Sequence, residues 1–365
     1  MTKDFLQRYA SLLCHYCLDI QAGQVILIKS TFIATPLLQV LQDEISKIGA
    51  VAHFQLQFEE QHKRFLEHSK DTQFKMVADL EETLIEKVDA ILTIKAPYNL
   101  NALSQIPEQH KVDFQKSRKN IKDITFKRSS ENCLKWCLCV YPNQSMAASC
   151  NLTLDEYSQF VSQACFLDKK EPQNAWQALS RYQDALIAEL AQFKKFHVIG
   201  PNTDLWFSCD QRLWINSDGK RNMPSGEIFS SPVESETEGF IYFDFPSLYQ
   251  GREVAGVTLT FEKGQVVKHH AKLGQAVLDA VLDVPGARCF GEVAFGTNTH
   301  IQRATKDILF DEKIGGSMHF AIGAAYPETG GLNQSVIHWD MIKDMSQGQV
   351  YGDGKLIYEN GSFLF

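Results

Sequence analysis

Residues 25–141 alternate between two kinds of stretch, and this alternation restricts the fold more than any other feature of the chain. Val25–Ile28, Val51–Gln57, Asp89–Ile94 and Trp136–Tyr141 are short apolar or alternating runs with the length of buried strands. Between them, Pro36–Ile48 has helical spacing and is closed by Gly49, and Glu59–Lys87 reads as a pair of polar–apolar helices. Strands separated by helices predict an α/β domain on a mainly parallel sheet, because parallel neighbours need a crossover long enough to hold a helix. A helix over Asp4–Leu18 precedes the first strand, with Phe5, Leu6, Tyr9, Leu12, Leu13 and Tyr16 at helical spacing. Asn99–Asn132 is polar and mixes helix with loop. Thr153–Leu167 is a helix that Thr153 and Glu156 open as a capping box. Gln173–Phe196 reads as a long helix, because Lys194 and Lys195 suit a helix C-terminus.

The texture changes near residue 195. Glycine becomes frequent, His197–Ile199 and Asp204–Ser208 are short strands, and hairpins turn at Lys263-Gly264 and Asp353-Gly354. Leu273–Leu282 is a helix among them. The expected organisation is an N-terminal α/β domain over residues 1–195 and an α+β, β-rich C-terminal domain over 196–365.

Composition narrows the partners. A net charge of -8 with no basic cluster argues against nucleic acid and anionic membranes. No apolar run approaches the ~20 residues of a membrane span. The N-terminus lacks the basic region and apolar run of a signal peptide. Nine cysteines lie scattered among apolar neighbours, which suits reduced, buried thiols and a cytoplasmic location. Cys14 and Cys17 fall inside an amphipathic helix, and Cys137 and Cys139 share one face of a strand, so both pairs read as core. Phe58–His68 holds neither arrangement of the zincin motif and reads as a solvated helix face.

The C-terminal half concentrates chemistry. Glu227 follows Pro-Ser-Gly in a turn, and Glu292 follows Gly291 inside an apolar stretch. A carboxylate buried among Val, Ala and Phe needs a cation, a hydrogen-bond network or a metal. His338 and Asp340 project from one face of an extended segment and suit one divalent ion. His319 lies in an apolar context, and Tyr326 follows in a glycine- and alanine-rich run. Singly, each has a bland reading as a salt bridge, a surface pair or a packed core residue. Together they match the inventory of a dinuclear site, in which one carboxylate bridges ions ~3.5–4 Å apart.

At these residues the chain resembles the dinuclear metallo-aminopeptidases of the aminopeptidase T, aminopeptidase S and PepS type. The matching runs are Asn222–Phe229, Ser231–Glu234, Gly286–Asn298, His319–Pro327 and Asn333–Ile342, with Tyr9–Gln24 and two later segments in the first half. The resemblance implies a two-domain homodimer that removes N-terminal residues from peptides, with its metal site in the C-terminal domain. It implies Glu227, Glu292, His319, His338 and Asp340 as ligands to two divalent ions (zinc, cobalt, manganese or magnesium). Glu292 would bridge, and Tyr326 would serve catalysis. A dimetal amidase or esterase and a non-catalytic metal-binding protein are the alternatives. Two departures from the family pattern stand out. The link from Tyr326 to His338 is short, and Lys343 replaces an expected glycine near the ligands, where a cation would tune metal affinity.

Overall fold

The computed structural model describes residues 1–249 and 251–365, which separate into two compact units. The first comprises Met1–Gln173 together with the returning segment Lys220–Met223. Its centre is a parallel sheet of β1 (Val25–Thr31), β2 (Val51–Gln57), β3 (Ala90–Lys95) and β4 (Lys135–Val140), in the order β2-β1-β3-β4. Asn222–Met223 adds a two-residue parallel strand beside β4. The apolar runs are central because both faces are covered: Ile26, Leu27, Ile28, Ala90, Leu92 and Ile94 are all buried. The helix Thr35–Ile48 buries Leu37, Leu38, Leu41 and Ile45, and stops at Gly49, whose left-handed φ of 85° closes the C-terminus.

The N-terminal helix Lys3–Ser11 widens into a π-helical turn over Leu12–Cys17. The polar stretch before β4 resolves into two helices, Glu108–Ser117 and Lys119–Ser130. The capping box forms at Leu154–Ala164: the Glu156 amide donates to Thr153 Oγ1 at 3.2 Å, and the Thr153 amide donates to Glu156 Oε2 at 2.8 Å. All nine cysteines are free thiols, and only Cys133 is exposed. Burial pushes the Cys14 thiol up to about 12, and the carboxylate of Glu44 adds to the shift, which fits a core role.

The second unit comprises Asn174–Gly219 and Pro224–Phe365 and holds two antiparallel sheets. One has nine strands. Its long hairpin, Arg252–Glu262 with Gln265–Leu273, turns at Lys263 and Gly264, both left-handed at φ 50° and 76°. The other sheet runs His338–Asp344, Ser317–Gly323, Phe290–Gly296, Glu227–Ser230 and Ile215–Ser217. A core including Phe196, Phe207, Phe295, Phe320, Trp339 and Met341 packs between elements of this unit.

Two boundaries differ from expectation. The long helix spans Pro172–Leu190 and ends six residues before Phe196. Phe196 instead enters a strand and stacks on Phe207, with centroids 5.2 Å apart. The carboxylate of Asp353 accepts the amides of Lys194 and Lys195 at 3.1 and 2.9 Å, a long-range tie that no local pattern announces. The units also divide at Gln173, not at residue 195, because Leu186 and Leu190 of this helix belong to the second unit's core. Among the described residues, no helix is long and apolar enough to cross a membrane.

Candidate metal centre

Strand alternation builds the site. In the five-stranded sheet, Gly296 pairs with Glu227, Ala294 with His319, and Ala321 with both Glu292 and Asp340; Gly323 pairs with His338. Side chains of paired residues share a face. Glu227, Glu292, His319, His338 and Asp340 therefore project from one face of four adjacent strands. Each has alanine or glycine as a cross-strand neighbour, which leaves room for the long polar groups. The intervening residues, Ile228, Val293, Phe295, Met318, Phe320, Ile322, Trp339 and Met341, point the other way into the core. The Gly226 turn sets the first carboxylate. Its φ is 112°, and a Cβ there would lie 2.7 Å from Cβ of Asn298.

Glu292 lies between the two histidines. Its Oε1 is 3.5 Å from His319 Nε2, and its Oε2 is 3.1 Å from His338 Nε2. His319 Nε2 also faces Glu227 Oε2 at 3.6 Å, and His338 Nε2 faces Asp340 Oδ1 at 3.6 Å. His338 Nδ1 donates to the carbonyl oxygen of Ala324 at 2.8 Å, so its Nε2 presents a lone pair to the carboxylates when the ring is neutral. Two groups of potential ligands result: Glu227, Glu312 and His319, and Glu292, His338 and Asp340. In each group the ligand atoms lie within 4.8 Å of one another.

Glu312 and Lys313 were not anticipated. They follow the short helix Ile308–Asp311 and enter the cluster from outside the sheet. Lys313 is fully buried, 3.4 Å from Glu227 Oε1 and in contact with the Glu312 carboxylate. A carboxylate shortly before Gly315-Gly316 was the available signal, but an Asp-Glu-Lys triplet reads as surface.

The electrostatics favour added positive charge. Burial opposes ionisation of Glu292, but hydrogen bonds to both histidines outweigh it and hold the carboxyl below its usual range. Burial also opposes ionisation of the half-buried Asp340, yet His338 holds it at about 2. Against burial, Asp340 and Glu292 raise His338 to about 11, and Glu292 and Glu227 raise His319. Four carboxylates thus face two imidazoles and one lysine. Glu227 Oε2 and Asp340 Oδ1 are buried without a hydrogen-bond partner, a cost of about 1–3 kcal/mol each. Ligand atoms sharing one ion at 2.0–2.2 Å lie roughly 3–3.5 Å apart, close to the spacings here. The donor set fits divalent metal.

Tyr326 stands at the rim, 40% exposed, with its ring 4.9 Å from that of His338 and 5.3 Å from that of Phe229. Partial burial, then the charges of Glu292, Asp340 and Glu227, push its phenol well above the ordinary value. The short link beyond it is firmly tied. Thr329 Oγ1 donates to Ser231 Oγ at 2.6 Å, the Leu332 amide to Glu234 Oε1 at 2.7 Å, and Asn333 Nδ2 to the carbonyls of Gly286 and Gly323 at 2.7 and 2.6 Å. The Ser231–Glu234 run therefore anchors this link. Lys343 does not join the site. It shares a parity with Trp339 and Met341, on the face opposite the carboxylates and histidines, and its Nζ donates to Asp244 Oδ2 at 2.5 Å.

The chain is similar to several known aminopeptidases. Aminopeptidase PepS of Streptococcus thermophilus is 26% identical over 99% of this chain and 98% of its own. Aminopeptidase 2 of Geobacillus stearothermophilus is also 26% identical, over 99% and 98%. These alignments span 414 and 412 positions, more than the 365 residues here, so both relatives carry segments that this chain lacks. The solved structure of wild-type AmpT from Thermus thermophilus shares the fold, with a TM-score of 0.87, 23% identity and all of both chains covered. The family model for the thermophilic metalloproteases, M29, matches residues 2–363, and the chain belongs to that family.

Proposed function

We infer that the chain is a metal-dependent aminopeptidase whose ions sit at the carboxylate–imidazole cluster of the second unit. Membership of a metalloprotease family supports the reaction class, and the aminopeptidases among its relatives support release of N-terminal residues from peptides. The observation that carries the location is Glu292, whose two oxygens face different histidines at 3.5 and 3.1 Å. A carboxylate divided in this way suits a bridge between two ions. In this reading Glu227 and His319, with Glu312, would hold one ion, and His338 and Asp340 would hold the other. Mixed imidazole and carboxylate donors suit zinc and cobalt, and the carboxylate share also admits manganese or magnesium.

Bound ions would supply Lewis acidity toward the scissile carbonyl and toward the attacking water. The chain's own groups supply position and hydrogen bonds. The His338–Ala324 hydrogen bond fixes the imidazole's orientation. The Tyr326 phenol, protonated at neutral pH as tyrosines ordinarily are, donates to the carbonyl oxygen as it gains negative charge. The family resemblance favours a homodimer, which light scattering tests. Nine free thiols support a reducing, cytoplasmic location.

The deciding experiment is turnover of leucyl and other aminoacyl chromogenic substrates, free and N-acetylated, with and without chelator. Free-amine substrates should turn over, and chelation or acetylation should abolish it. Equal turnover of acetylated substrates would instead indicate an amidase or esterase. A metal-loaded protein without any turnover would indicate a non-catalytic metal binder.

A further inference from the structure

The long helix Pro172–Leu190 carries Gln183, Leu186 and Leu190 at i, i+3 and i+7, on one face. Leu186 and Leu190 belong to the second unit's core, and Gln183 is fully buried with them. A carboxamide in line with core leucines is out of pattern. Burying it is costly unless it is hydrogen-bonded, and leucine or methionine would fill the same space with no polar group to satisfy. A position that breaks the local rule in this way points to a task for the side chain.

The task is visible in what the amide reaches. Gln183 Nε2 donates to the carbonyl oxygen of Ser217 at 3.2 Å and to the main-chain carbonyl oxygen of Glu227 itself. Ser217 and Glu227 are partners across two adjacent strands, so one side chain clamps both members of the pair. The Ser217 carbonyl also accepts the Gly226 amide at 3.1 Å and Ser225 Oγ at 2.8 Å. Asn298 Nδ2 donates to the carbonyl of Ser225 at 2.9 Å, and the Thr297 amide donates to that of Gly226 at 2.8 Å. Each main-chain carbonyl from Ser225 to Glu227 thus has a donor from another part of the unit, and Gln183 supplies the one at the ligand. Its own side-chain oxygen is buried without a hydrogen-bond partner. The reverse orientation of the amide would set that oxygen against two carbonyls. Asn216 offers a contrast on the same junction. Its Nδ2 joins the helix to the strand Ile215–Ser217 through the Ser180 carbonyl at 3.0 Å and Asp184 Oδ1 at 2.6 Å.

We propose that Gln183 is a positioning residue for the metal centre. Its amide fixes the main chain of Glu227, so that the carboxylate is already placed for the ion it would share with His319 and Glu312. The inference rests on the reading of Glu227 as a metal ligand.

Titration of the chelator-stripped, full-length chain with buffered zinc tests this, with thermal melting of the metal-free protein as a second readout. Gln183→Met keeps the length and bulk of the side chain but donates nothing. It should weaken one of two zinc equivalents about 10–100-fold, as loss of a group that orients a ligand does, and leave the other within about threefold. Glu227→Gln should weaken the same equivalent. Asn216→Ala should lower the melting temperature at least as far as Gln183→Met, yet leave both equivalents within about threefold of wild type. If the Gln183→Met protein does not fold, Gln183→Asn, whose shorter amide cannot span to both carbonyls, should show the same selective loss. Unchanged zinc affinity in the folded Gln183 variant, with one equivalent weakened in Glu227→Gln, overturns the positioning role alone. Equal weakening of both equivalents, or a loss matched by Asn216→Ala, makes Gln183 a general support and also overturns it. Indifference of both equivalents to Glu227→Gln removes Glu227 from the ligands, and this inference falls with it.

Discussion

Two charge clusters, one in each unit, differ in whether their own members satisfy them. In the first unit, Glu81 is matched by Arg118 and Lys29 and its carboxylate is satisfied by their hydrogen bonds. In the second, Glu227, Glu292, Glu312 and Asp340 outnumber the one lysine, and two of their oxygens are buried without a hydrogen-bond partner. The first cluster completes itself with protein atoms. The second is complete only when positive charge is added. A buried charged network is thus structural or functional according to whether its own members satisfy it, more than according to its size.

Removing the shared carboxylate should have the largest effect. Glu292→Gln keeps the shape but halves the charge-bearing oxygens between His319 and His338. Aminopeptidase turnover should fall by at least about 10³-fold, with folded protein by circular dichroism. Retained activity would rule out a bridging role. Tyr326→Phe should lower kcat by about 10²–10³-fold with metal content unchanged. Loss of metal from that variant would instead make the tyrosine a structural support.

A paired substitution tests the comparison directly. Lys313→Met breaks a buried ion pair and Glu81→Gln a half-buried one, and they should destabilise the metal-free protein by about 3 and about 1–2 kcal/mol in denaturant unfolding. Saturating zinc should restore the Lys313 variant, whose carboxylates regain a cation, and should leave the Glu81 variant unchanged. If zinc rescues both or neither, the clusters do not differ as described. Glu312→Gln should act more narrowly. It should weaken one of two metal equivalents about 10–100-fold, as seen by metal analysis after dialysis, because Glu312 joins only the Glu227–His319 group.

The sequence carried the parts of this picture that depend on period. Runs such as Val25–Ile28 and helical spacing over Pro36–Ile48 specify the parallel unit, and the parity of His338 and Asp340 places both on one face. Parts that depend on contacts between distant residues were not legible. The long helix was extended to Phe196 because Lys194 and Lys195 imitate a helix end, whereas Asp353, far along the chain, fixes those residues as the start of a strand. Glu312 and Lys313 look like solvated surface until the fold buries them beside Glu227. His62, read as part of a solvated helix face, lines a cavity of the first unit and lies 5.0 Å from the Phe114 ring.

Lys343 is the sharpest case, because proximity in sequence suggested an influence that parity denies. It is three residues from Asp340 and almost fully buried, yet it projects from the opposite face and pairs with Asp244. Asp244 Oδ2 also accepts the Asp344 amide at 2.9 Å, so the acid keeps a partner if the lysine is lost. Lys343→Met should therefore cost only about 1–2 kcal/mol of stability. Turnover should change less than about twofold, and zinc affinity should not move, because the local ion pair neutralises the charge away from the ligands. A tenfold change in zinc affinity would show that charge on one face of the sheet is felt on the other. In that event the surplus at the metal centre would have to be counted over the whole second unit, and not over the residues that touch one another.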